Sequence, residues 1–225
     1  SVTELETLRA RDDSGWVTVE GERIAVEQAE FEVTTAEDGV SGSLRDAIAQ
    51  ANETSGADTI TFDDSLASRT ITLSEGELVI NDPLTIEGLG ADNLTIDAEG
   101  NSNSGVFNIN DRDEENVIDV SIEGLTITGG NDRSGGGIEN RENLSLADST
   151  LSGNTASAVG GGILNTGTLN LTNSTVSGNY SASYNGGGID NRGTLNLTNS
   201  TVSGNSGGGI DNLVTANLTN STVSG

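Results

Sequence analysis

The phrase Gly-Gly-Gly-Ile returns along the chain at residues 135–138, 160–163, 186–189 and 207–210, in steps of 25, 26 and 21 residues. A second block follows each copy in the same steps: Leu144/Leu146, Leu169/Leu171, Leu195/Leu197 and a degenerate Ala216/Leu218. A third block, Ser-Thr-Leu/Val-Ser-Gly, begins at Ser149, Ser174, Ser200 and Ser221. A looser earlier copy runs from Val120 and Ile122 to Leu125 and Ile127. Three short segments per repeat, separated by Gly, Asn and Ser, are too brief for helices, and their alternation is the period of two that strands need. A propeller blade uses about four strands over ~40 residues, and the L-x-x-L-x-L-x-x-N frame of leucine-rich repeats is absent. What remains is a coil of three strands that closes above its own start, each strand pairing in parallel with its copy ~4.8 Å away. The repeat therefore predicts an all-β parallel β-helix in which Ile138, Leu146, Leu151 and their equivalents point inward and stack on one another.

Asparagine keeps the same register. Asn140, Asn165, Asn191 and Asn212 follow each repeat isoleucine by two, and Asn154, Asn179 and Asn205 follow the Ser-Gly turn. Asn173, Asn199 and Asn220, with Asp148 in the first copy, close the Leu-x-Leu block. Asn tolerates left-handed backbone at corners and its amides can stack, so these columns read as corner-turning ladders rather than ligand sets. Upstream, short strands are expected at 59–62, 70–73, 78–80, 84–86, 94–96 and 106–109. Residues 57–225 leave room for about seven coils around one continuous core. The one convincing helix spans 43–52: Ser43 is a good N-cap, Asp46 sits at the capping-box position, and Leu44, Ala47, Ile48 and Ala51 share a face. Asn52 and Gly56 are expected to end it. Placed before the first coil, it would cap the open end of the apolar column.

The stretches FEVTTAEDGVSGSLRDAIAQAN (31–52), DTITFD (58–63) and LTIEGLGADNLTIDAEG (84–100), with the GGGI-N and LNLTNSTVSGN copies, resemble bacterial extracellular β-helix repeat proteins. These are polymorphic outer-membrane or autotransporter-like proteins with a CSLREAI-type opening motif, and the resemblance covers about residues 31–225. Gly42 stands where the family often has Cys, which removes any thiol role. The resemblance implies secretion, a pectate-lyase-like right-handed solenoid and surface or adhesive roles. It implies no catalytic residues. The chain divides accordingly into a hairpin arm or the end of a preceding domain (1–30), a lead-in strand and capping helix (31–56), and the parallel β-helix (57–225). In the arm, Val17, Val19, Ile24, Val26, Phe31 and Val33 alternate across a turn at Glu20, Gly21 and Glu22, suggesting a hairpin anchored by Trp16. At the other extreme, the sequence stops inside a third block, so either further coils or a second subunit stacked head to tail is expected to follow.

Chemistry is sparse. The chain has no Cys, His or Met among its 225 residues, so thiolate nucleophiles, disulfides and imidazole chemistry are excluded. A formal charge of −26 disfavours nucleic acid and anionic lipid, and no apolar run reaches the ~18 residues of a membrane span. Strong acidity also suits a high-salt setting, where screening removes self-repulsion. Pieces of a polysaccharide lyase or hydrolase are available in Arg133, Arg141 and Arg192 with Asp190 and Asp211. Yet Glu139, Asp190 and Asp211 merely repeat after Gly-Gly-Gly-Ile, with Leu164 in the remaining, second copy, and read as a solvated stripe. A catalytic site would be expected to break the repeat locally. Asp111, Asp113, Glu114 and Asp119 form an acidic loop with the oxygen chemistry of a Ca²⁺ site, although a solvated loop is the better explanation. Columns of Thr at 172/198/219 and 150/175/201/222 raise ice binding, but β-propensity accounts for them. Recurrent Asn-x-Ser/Thr sequons are by-products of the repeat. The reading is a non-catalytic, extracellular or cell-surface structural protein without a cofactor: a rigid stalk, adhesin or fibre subunit. Its partners would be other copies of itself or a surface or matrix polysaccharide. The competing reading is a carbohydrate-active β-helix.

Overall fold

A computed structural model describes residues 16–19, 22–25, 28–99, 103–113, 115–183 and 185–225. The strands coil into a parallel β-solenoid. The expected stacking is present residue for residue: Ile138 pairs with Ile163, Ile163 with Ile189 and Ile189 with Ile210. Leu146, Leu171, Leu197 and Leu218 form the next column. Leu151, Val176 and Val202 form the third. Ile138, Ile163 and Ile189 are fully buried, so the alternation seen in sequence is the inside–outside alternation of the coil wall. One cluster of buried side chains runs the length of the solenoid, from Val33 to Val202.

Two features differ from the expectation. The longest sheet has eight strands, because Glu30–Val33 pairs in parallel with Asp58–Phe62 and supplies a rung before residue 57. Phe31 and Val33 therefore belong to the solenoid wall and not to the N-terminal hairpin. Three of the coils also carry a fourth strand: Asn131–Ser134, Thr155–Val159 and Tyr180–Ser181 form their own parallel sheet. These segments lack the apolar alternation of the other strands, which is why periodicity passed over them. The hairpin itself is Trp16–Val19 against Glu22–Ala25, antiparallel. The side chain of Trp16, the turn at Glu20 and Gly21, and Val26 lie outside the described residues.

The capping helix α1 spans Leu44–Glu53, with Leu44, Ala47, Ile48 and Ala51 buried. Ser43 Oγ accepts the Asp46 amide at 3.1 Å, while Asp46 reaches back to the Gly42 amide at 2.8 Å. Asn52 does not end α1. It donates to Val79 O at 2.9 Å and accepts the Asn81 amide at 3.0 Å, clamping the helix to strand Leu78–Ile80. No helix among the described residues is long and apolar enough to cross a membrane.

The triple glycine has two separate reasons. Gly135, Gly160 and Gly186 adopt φ of +64°, +62° and +57°, where a Cβ is strained. The second glycine lies in a backbone stack: a Cβ on Gly136 would sit 2.6 Å from Gly161 O, one coil above. The coils therefore pack backbone against backbone at this corner.

Candidate functional site

The asparagine columns are hydrogen-bonded axial ladders. Asn140 Nδ2 donates to Asn165 Oδ1 at 2.8 Å, Asn165 to Asn191 at 2.7 Å and Asn191 to Asn212 at 2.6 Å. Asn140, Asn165 and Asn191 are fully buried, and their amides also bind carbonyls of the adjoining corner. Asn154, Asn179 and Asn205 form a second buried ladder, each step 3.0 Å. Ser149, Ser174, Ser200 and Ser221 form a third: the hydroxyls of Ser174, Ser200 and Ser221 each accept the serine amide of the preceding coil, and that of Ser149 accepts the Leu125 amide. Buried amides and hydroxyls satisfied in this way hold the corners in register. They are structural and offer no open ligand site.

Two departures from the repeat shape the surface, and these are where chemistry could differ. At the first, residues 110–118 connect strands Phe107–Ile109 and Asp119–Glu123, where later coils use two residues. Asp111 Oδ1 accepts the Asp113 amide and its Oδ2 accepts Asn116 Nδ2, at 2.8 and 2.6 Å. Asp113 accepts the Glu115 amide, and Asp119 accepts Asn143 Nδ2 at 2.9 Å. Glu114 lies outside the described residues. These carboxylates serve the loop's own turns and the neighbouring coil, and no group of three or more acidic residues among the described residues is placed to hold a metal ion. Beneath the loop sits Glu142, 4% exposed, which periodicity did not single out. It accepts the amides of Asp111 and Ile118, each at 3.3 Å, and so ties both ends of the loop. Burial, reinforced by the charge of Asp111, pushes its carboxyl above the usual value despite those two amides. Its signal in the sequence is an acid where the next coils have Gly167 and Gly193.

At the second break, residues 88–93 form a six-residue corner between strands Leu84–Glu87 and Leu94–Asp97. The matching corners of the later coils have two residues, as at Asp148 and Ser149. The long corner leans across the coils that follow. Gly88 N donates to Glu123 O at 2.8 Å, Gly90 N to Gly124 O at 2.9 Å and the Thr126 hydroxyl to Ala91 O at 2.7 Å. Only glycine fits at 88, where a Cβ would collide with the Gly124 carbonyl and the Leu125 side chain. The overhang leaves a polar groove of about 290 Å³ against Asp148, Thr150, Asn173 and Thr175.

The arginines do not converge. Arg133 is exposed on the fourth-side strand, whereas Arg141 and Arg192 stand at one corner, on coils separated by that of Thr166. Arg141 pairs with Glu139 at 2.8 Å and Arg192 with Asp190 at 2.6 Å. The hydrogen bond to Asp190, with the charges of Asp190 and Asp211, raises the Arg192 pKa despite partial desolvation. The acidic stripe is less solvated than expected: Asp190 is 1% and Leu164 7% exposed, while the Arg192 side chain remains 43% exposed beside Asp190. No family model and no curated protein matches this chain.

Proposed function

We propose that this protein is a secreted or cell-surface structural protein whose working part is a stiff, non-catalytic rod, the stalk of a surface adhesin. The observation that carries the reading is the unbroken axial ladder Asn140–Asn165–Asn191–Asn212, running beside fully buried isoleucine and leucine columns. Each coil is tied to its neighbour by strand hydrogen bonds, and from Asn140 onward also by side-chain amides within the corners, so bending requires breaking many short contacts at once. Eight rungs at ~4.8 Å span roughly 34 Å. Gly, Asn and Thr make up much of the exterior, and four of the seven exposed large apolar residues among those described (Leu213, Val214, Leu218 and Val223) lie on the last coil. The resemblance to extracellular β-helix repeat proteins in residues 31–225 points the same way. The catalytic alternative is disfavoured because Arg141 and Arg192 are paired within their own coils and Arg133 stands on another side.

Small-angle scattering of the protein tests the rod; a single stiff cross-section with a linear length is expected, and a distribution of bent shapes would refute it. Incubation with acidic polysaccharides and Ca²⁺ tests the catalytic alternative: no unsaturated or reducing ends are expected. A fibre made by end-to-end stacking would appear as filaments in negative-stain micrographs.

A further inference from the structure

We propose that the groove under the 88–93 corner, with the uncharged columns that lead away from it, is a docking track for a neutral, hydroxyl-rich polysaccharide chain. This goes beyond the role of a rod, which would stand without any ligand. The groove is built where the long 88–93 corner overhangs later coils, and its volume of about 290 Å³ is near the ~300 Å³ lower end of small-ligand sites. Asp92 and Asn93 come from the overhang; Asp148, Thr150, Asn173 and Thr175 come from the wall. Carboxylates that accept, amides that both donate and accept, and threonine hydroxyls are the partners that sugar hydroxyls need. Asp92 and Asp148 are both exposed at the rim. No Arg lines the groove, so phosphate, sulfate and uronate groups would meet two carboxylates with no compensating charge.

The columns extend the site. From Asp148 the corner continues through Asn173, Asn199 and Asn220, and from Thr150 through Thr175, Thr201 and Thr222, one rung apart. The corner residues share one left-handed backbone conformation, φ +48° to +53°, and hydrogen bonds of 3.2 Å from Asn173 to Asp148 and 3.3 Å from Asn199 to Asn173 orient their side chains. Preorganised donors lose little freedom on binding. The charge distribution favours the same ligand. Residues 143–225 hold only three of the 35 acids and one of the nine arginines. A neutral polymer lying along this end meets fixed amides and hydroxyls, whereas the rest of the molecule would repel any acidic one. No aromatic ring lines the groove, so a single sugar would bind weakly and a long chain would gain by repeated contact.

The test is co-sedimentation of the whole protein with insoluble neutral polysaccharides (cellulose, chitin and mixed-linkage β-glucan), with alginate and polygalacturonate as acidic controls. Retention on at least one neutral polymer and none on the acidic ones is expected. D92A and T150V should weaken retention about tenfold. T150V keeps the β-branched shape that the strand needs and removes only the hydroxyl, so it should leave the fold intact, as circular dichroism would verify. R192A, at a different corner, should bind as the parent does. Absence of retention on every neutral polymer would overturn the proposal, as would equal binding by both groove variants or preference for the acidic polymers. Scattering from the same samples reports the rod independently, so failure to bind would overturn the docking track and leave the rod in place.

Discussion

Asn165 concentrates the logic of this molecule in one side chain. It accepts from Asn140, donates to Asn191 and also donates to Thr168's counterpart one coil above, the carbonyl of Thr194. Asn165→Ala would remove these bonds inside a fully buried corner, and a loss of about 2–3 kcal/mol in urea unfolding is expected. The equivalent Asn212→Ala, at an exposed position, should lose less than about 1 kcal/mol. Two carboxylates should respond to pH with opposite signs. Burial alone would raise Asp38, but the Arg45 guanidinium and the amides of Ser74 and Glu75 outweigh it and hold its pKa below 3.8. Its contribution is present above the unfolded value and lost as pH falls through the folded one, so the stability gap between the parent and Asp38→Asn should close in acid. Glu142 is raised, so the folded state favours its protonated form, and the gap between the parent and Glu142→Gln should shift against the parent as pH rises through that value. Urea midpoints across a pH series check both; parallel curves would contradict the assignments.

The elements show how differently the parts of this fold can be read from sequence. A period of two in Leu-x-Leu and Thr-Val-Ser revealed the strands and their inward residues, because stacking like on like satisfies the same rule in every coil. The side facing Thr155–Val159 was not legible, since Thr-Ala-Ser-Ala-Val pairs through its backbone and needs no apolar alternation. Helix α1 was visible by its cap and apolar face, yet what fastens it was not. Arg45 makes two bonds to Asp38 and reaches the carbonyls of Gly76 and Glu77, contacts between segments about 30 residues apart. Nor did composition point to the groove beneath residues 88–93, whose only trace is an overlong gap between two strands. The glycine corners separate two causes cleanly. Gly161→Ala places a Cβ against the carbonyls of Gly187 and Tyr180 and should cost about 2–3 kcal/mol. Gly178→Ala meets no atom within 4 Å but keeps φ of +66°, and should cost about 1 kcal/mol. Equal losses in thermal or urea unfolding would show that backbone crowding is not what the second glycine avoids.

Over the whole molecule the coil is the unit of construction. Residues 167–192 amount to one full turn, since Thr166 and Arg192 occupy the same corner of successive coils. Excising them joins Thr166 to Gly193 and sets Asn165 beneath Asn212. The shortened chain should fold cooperatively, with the β-sheet circular dichroism of the parent and a length smaller by ~4.8 Å. Aggregation or loss of cooperativity would mean that the coils are not interchangeable. The axial ladders also decide how the protein meets force. Pulled along its axis, the solenoid shares the load among all its sheets and amide columns. Tugged instead by the loose strand of an outermost coil, it would give way like a zip, one turn per rupture, each event releasing about 25 residues and lengthening the tether by roughly 85 Å. Such a molecule would be hard to stretch yet would dissipate work in equal, countable steps.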